Sequence, residues 1–221
     1  MSRLEFCVSR WPVMIVAAIL VLSTSGCVGI AAQLMYMAGA GDIKPEFAGL
    51  KEKKVAVVCV SNRSAYGSGK ESLALARMVS VILGREVKKI EMIGQTEIDN
   101  WKDTNEWDEI DYRAIGRGVK AEMLVAIDLR SLSYYDGQTM YKGRADFTVS
   151  VYDMTQGGGK IVWSKATPDF QFPQHGGRPV TDMVEANFQK QFLGLLAKDI
   201  ARSFHSYDKV VTMATDATLL D

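Results

Sequence analysis

The sequence predicts an α/β (α+β) fold. It reads as a single domain with a mixed five-stranded sheet, elements in the order β-α-β-α-α-β-β-β-α, and helices packed on the sheet. Three observations carry this. Val55 to Val60 is a continuous apolar run followed by a helical stripe and a second extended stretch, which makes a βαβ unit with a parallel pair. Residues 118–165 read as three consecutive strands. A long amphipathic stretch ending at Phe204 supplies a closing helix.

At the start of the chain, Arg3 and Arg10 precede an apolar run from Trp11 to Leu22, followed by Ser23-Thr24-Ser25-Gly26-Cys27. A basic segment, a short apolar segment and small residues before a cut make an export signal over residues 1–26. Small residues directly before a cysteine resemble the lipobox of bacterial lipoproteins. That resemblance implies a lipid on Cys27, which becomes the first residue after cleavage. Thr24 stands where those proteins usually have leucine. The alternatives are an uncleaved anchor, because no charge appears between Arg10 and Asp42 and that length spans a bilayer, and simple secretion. All three place the domain outside the cytoplasm, and the basic segment retained inside agrees.

Residues 27–54 form a tether, with Ala38-Gly39-Ala40-Gly41 flexible and Lys44-Pro45 opposed to helix. The domain occupies residues 55–205. After its first strand comes a polar loop, Ser61 to Lys70, and then a helix to about Leu83. Ser68 and Glu71 form a capping-box pair, Gly84 is a stop, and Leu75, Met78, Val79 and Ile82 make the inner stripe. Val87 to Ile93 is the second strand. Thr96–Lys102 and Asp108–Lys120 are two short helices turning Ile98, Trp101, Ile115 and Val119 inward.

Met123 to Leu129 is apolar enough for a strand covered on both faces. Asp136-Gly137 turns the chain, leaving Ser133 to Lys142 as a short polar link. Arg144 to Met154 then alternates, with Ala145, Phe147, Val149 and Val151 inward. A triple glycine, 157–159, leads to a short closing strand at Ile161–Trp163. Residues 166–180, with three prolines, form a long irregular loop. Thr181 caps the last helix, which runs to about His205 with Val184, Phe188, Phe192, Leu195, Leu196, Ile200 and Phe204 on one side. Residues 206–221 are a disordered tail.

The segment from KKVAVV, through G-x-K-A-x-x-L-V-x-x-D-L, to Y-D-M…G-G-K-I-V-W-S and a helix closing on phenylalanine resembles envelope lipoprotein families related to the TolB amino-terminal domain, LpoB and CsgG. Asp153, Gly157 or Gly158, and Trp163-Ser164 stand where those families carry a D-x-x-x-G-x-x-x-W-S signature. The resemblance implies an envelope location and a non-catalytic role. The residues themselves give Asp153 a turn-capping role and Trp163 a packing role.

Charge and motifs exclude several functions. Basic and acidic residues balance at 26 each, and without residues 1–27 they number 24 and 25, so there is no basic footprint for nucleic acid. Gly67-Ser68-Gly69-Lys70 follows a strand and opens a helix, but Glu71 stands where a phosphate-binding loop needs a hydroxyl for magnesium. Seven acids between Glu97 and Asp111 fit no calcium-loop register and read as a solvated face. His175 and His205 have no metal-ligand spacing partner. Cys59 lies inside a strand, so no disulfide is expected. No catalytic residue, metal or cofactor is therefore expected. The chain reads as a lipid-anchored envelope protein with a non-enzymatic domain that binds a protein or an envelope polymer. An unrecognised hydrolase or nucleotide-binding enzyme is the alternative. Trp101 and Trp107 on the acidic rim, and His175 and Arg178 in the proline-rich loop, are the candidate partner contacts.

Overall fold

The computed structural model describes residues 42–61, 69–105, 111–155 and 158–208. The chain divides into Met1–Ile43 and Lys44–Asp221. Of the first unit only the extended pair Asp42–Ile43 is described, so the signal segment and Cys27 lie outside the described residues.

The second unit is a mixed α+β domain. Its elements are β1 (Lys54–Ser61), α1 (Gly69–Glu86), β2 (Glu91–Met92), α2 (Gln95–Thr104), α3 (Tyr112–Gly118), β3 (Met123–Asp136), β4 (Met140–Asp153), β5 (Lys160–Phe172), β6 (Arg178–Pro179) and α4 (Glu185–Arg202). The sheet order is β2-β1-β3-β4-β5, with β6 paired to β4. β1 runs parallel to β2 and β3, and the β3-β4-β5 meander is antiparallel. The five expected strands are present, and the sixth is a two-residue addition.

Two apolar layers sandwich β1 and β3. On one side Val55, Val57, Val125, Ile127 and the inner residues of β4 meet Leu75, Val79 and Leu83 of α1 and Phe188, Phe192 and Leu196 of α4. On the other, Ala56, Val58, Leu124 and Ala126 meet Ile93, Ile98, Ile115 and Val119 of the α2–α3 side. This is why Val55–Val60 of β1 and Met123–Ile127 of β3 are apolar on both faces. Burying each large aliphatic or aromatic side chain stabilises the fold by about 1.5–3 kcal/mol. Two close approaches need glycine. A Cβ on Gly143 would lie 2.2 Å from Phe192 Cδ2, and one on Gly118 would lie 1.9 Å from Trp101 Nε1.

Several expected boundaries are corrected. α1 continues through Gly84, and Val87 closes it by donating its N–H to Leu83 O at 2.9 Å. Lys89 then takes a left-handed conformation (φ 57°), which confines β2 to two residues rather than Val87–Ile93. α3 begins at Tyr112, because the Asp111 carboxylate accepts from the N–H groups of Arg113 and Ala114. β3 and β4 run straight through the supposed polar link, and only residues 137–139 form the turn.

β5 is the largest departure. It extends past Pro168 to Phe172, so only 173–180 of the expected loop lies outside it. Proline is tolerated here because β5 is an edge strand with an extra residue at Pro168–Asp169, opposite Asp146. Asp169 has φ 53°, and its N–H donates to Asp146 Oδ1 at 2.7 Å. The bulge restores the alternation that turns Phe170 and Phe172 to the core.

At the last helix, Val184 rather than Thr181 is the N-cap, and Val184 is 68% exposed rather than inward. The helix ends at Arg202 instead of near His205. Tyr207 and Asp208, assigned to the tail, are extended, and Tyr207 lies 5.5 Å from the Arg202 guanidinium carbon. Among the described residues no helix is long and apolar enough to cross a membrane. The run Trp11–Leu22 lies outside them.

Candidate functional site

One end of the domain gathers the polar features that packing does not explain. It lies at the carboxyl end of β1, where Ser61 pairs with Leu129 of β3. From this point α1 leads to β2 on one side of β1, whereas β3 lies on the other. Such a reversal of strand order leaves a crevice beyond the strand ends, where ligands of open α/β sheets bind.

A cavity of about 290 Å³ opens here. Leu129 and Leu132 are its apolar lining, and Ser61, Ser133, Glu71, Tyr134 and Tyr135 are its polar lining. A bulge builds this wall. Arg130 is an extra residue in β3, since Leu129 pairs with Phe147 and Ser131 with Asp146. One extra residue exchanges the two faces of a strand. Ser131 therefore turns outward to donate to Asp146, while Leu132 and Tyr134 turn inward. Tyr134 then lies edge-on to Phe192, with centroids 6.0 Å apart.

Two buried polar atoms in this cavity, Glu71 Oε2 and the Tyr134 hydroxyl, have no hydrogen-bond partner among the described residues. Leaving a buried polar group unsatisfied costs about 1–3 kcal/mol, and more for a charged one. Burial pushes the Tyr134 phenol well above its ordinary value, and the negative charges of Glu71 and Glu185 add to the shift. A hydrogen bond to Glu185 pushes Tyr135 up to about 12. Glu185 sits in the first turn of α4, so two carboxylates and two phenols share this end.

The structure brings His175 and Arg178 to the same end. Arg178 pairs with Tyr141, and Val180 N–H donates to Thr139 O at 3.0 Å. His175 is exposed and Arg178 half-buried. Trp101 is placed apart from them, half-buried on α2 with its indole on Gly118. That packing gives it a structural task. Trp107 lies outside the described residues, as do Gly67 and Ser68.

The other singled-out residues have plain roles. Asp153 accepts from Thr155 N–H at 2.9 Å, which is turn capping. Trp163 packs on Phe204 at 5.2 Å and Phe47 at 6.2 Å. Burial pushes the Cys59 thiol up to about 12, so it is inert at neutral pH. Asp99 of the acidic rim approaches Arg77 at 3.8 Å. Among the described residues no cluster of His, Cys, Asp or Glu could hold a metal.

No protein-family model matches this chain, and no curated protein matches it. Solved structures with similar chain traces include a hypothetical protein from Chlamydia trachomatis, at 14% identity and TM-score 0.44, covering 67% of this chain and 91% of that one. PelC from Paraburkholderia phytofirmans, solved as a dodecamer, has 14% identity and TM-score 0.42, covering 74% and 95%. A lipoprotein from Neisseria meningitidis has 9% identity and TM-score 0.42, covering 68% and 99%. Likenesses this distant say nothing about partner or activity.

Proposed function

We propose that this chain is a lipid-anchored cell-envelope protein whose α/β domain is a non-enzymatic binding module for a protein or an envelope polymer. One observation carries the reading. The small-residue run Ser23-Thr24-Ser25-Gly26 meets Cys27 directly after a basic segment and an apolar run. That order suits export followed by lipid attachment at the cysteine. Of the residues expected in the tether, Leu50 is buried in the domain's core and Phe47 packs against it. The domain therefore faces the periplasm on a shorter lead than residues 27–54, and the lipid is its contact with the membrane.

The end bearing His175, Arg178 and the cavity is the surface assigned to the partner. Its irregular segment 173–180 is set on a rigid hairpin through Tyr141 and Thr139. Loops held by a rigid scaffold are where binding residues concentrate.

Metabolic labelling with a fatty-acid analogue tests the anchor. Wild type should take up label and Cys27→Ser should not, and the intact mass should begin at Cys27. A purified chain that retains residues 1–26 without label would replace this reading with an uncleaved membrane anchor.

A further inference from the structure

We propose that the cavity at the carboxyl end of β1 binds an organic cation, a guanidinium or primary ammonium group on a short alkyl stem. Four observations converge on that chemistry. The cavity occupies the crevice where the strand order reverses. Its buried Glu71 Oε2 accepts hydrogen bonds and cannot donate them, and nothing described here donates to it. The buried Tyr134 hydroxyl, also unbonded, stands ready to accept or donate. Leu129 and Leu132 supply the apolar wall that an alkyl stem needs.

Charge decides the sign of the ligand. A helix N-terminus beside a strand end ordinarily favours an anion. Here Glu71 sits in the first turn of α1 and already carries negative charge at that point. Glu185 is not part of the lining; it is an exposed carboxylate at the start of α4, bonded to Tyr135, one of the lining residues. A phosphate or carboxylate ligand would meet Glu71 across the cavity. A guanidinium would present two parallel N–H donors to it, a pairing both strong and geometrically selective. The tyrosine rings add faces that attract cations. A volume of about 290 Å³ is at the small end of ligand sites, and suits one such group with its stem.

This site is independent of the lipid anchor, so a Cys27→Ser chain should bind the cation unchanged. Guanidinium and ammonium groups occur both in free amines and in basic side chains, and the test separates these sources. The full-length protein in detergent is titrated calorimetrically with N-butylguanidinium chloride, with sodium butyrate and sodium chloride at matched ionic strength as controls. A second arm uses an acetylated, amidated Gly-Arg-Gly peptide.

Saturable binding of N-butylguanidinium is expected, with a melting temperature that rises with its concentration. Glu71→Gln should weaken binding about tenfold or more, and Tyr134→Phe should weaken it less. Without ligand, Glu71→Gln should keep the far-ultraviolet circular dichroism and cooperative melt of wild type, because Gln retains the side chain's shape, and this shows that the variant folds. Tighter binding of the peptide assigns the site to a partner's basic side chain, and binding of butylguanidinium alone assigns it to a small molecule. An unsaturable response, equal binding of butyrate, or unchanged affinity in Glu71→Gln would overturn the proposal.

Discussion

Replacing Phe192 by alanine tests the packing that joins the closing helix to the sheet. Phe192 is fully buried, and its ring lies on the bare Cα of Gly143. It stacks on Phe188 at 6.5 Å, meets Phe170 at 5.9 Å and stands edge-on to Tyr134 at 6.0 Å. Truncating a buried phenylalanine costs about 3–5 kcal/mol in lost transfer energy and cavity formation. The site is a poor candidate for relaxation, because β4 is fixed on both sides by ladder pairs and Gly143 has no side chain to fill the gap. The upper half of that range is therefore expected. Domains are typically stable by about 5–15 kcal/mol, so urea unfolding followed by circular dichroism should show a midpoint lowered by about a quarter or more. Val81→Ala is the control, since Val81 is 70% exposed on α1 and should change stability by less than about 0.5 kcal/mol. A Phe192→Ala midpoint within that same margin of wild type would refute the packing described here.

Two further outcomes are expected. Glu122 accepts from Lys54 N–H at 2.9 Å and Lys53 Nζ at 3.2 Å, and these bonds hold its carboxyl below the ordinary carboxylate value. Its contribution is therefore present above the unfolded-state pKa, about 4.3, and is lost as pH falls through the lower folded-state value. Melts from pH 6 down to about pH 3 should fall less steeply for Glu122→Gln than for wild type, and parallel curves would contradict this. The second concerns thiols. Cys59 should resist iodoacetamide in the native protein and react after denaturation, because burial keeps its thiol protonated. The denatured mature chain should then titrate one thiol, whereas an uncleaved and unmodified chain would expose Cys7, Cys27 and Cys59.

Much of the fold was legible because its core residues repeat at simple periods. Ala145, Phe147, Val149 and Val151 alternate and are all buried, and Phe188, Phe192 and Leu196 recur every fourth residue and are all buried. Periodicity failed where one residue breaks the phase. Pro168 looked like the end of a strand, yet an extra residue beside it lets β5 continue on the sheet edge. Val87 looked like strand because it is apolar and β-branched, but it is buried at the end of α1 and the left-handed Lys89 follows it. Such bulges and turns are set by pairing with distant strands, and local propensity does not record them.

The candidate site was less legible for the same reason, and its parts were read singly. Glu71 looked like half of a capping box and like a defect in a phosphate loop, while Ser133 to Tyr135 looked like a polar link. Only the pairing of Ser61 with Leu129, 68 positions apart in the chain, brings α1's first turn against the far half of β3. One signal was present. Leu129 and Leu132 are three apart, and two inward residues on one strand can be three apart only if a residue between them is bulged. That spacing implies that Tyr134, two residues further on, also turns inward. The shielded Tyr134 hydroxyl follows from it, and the strand pairing brings the shielded Glu71 Oε2 to the lining of the same cavity.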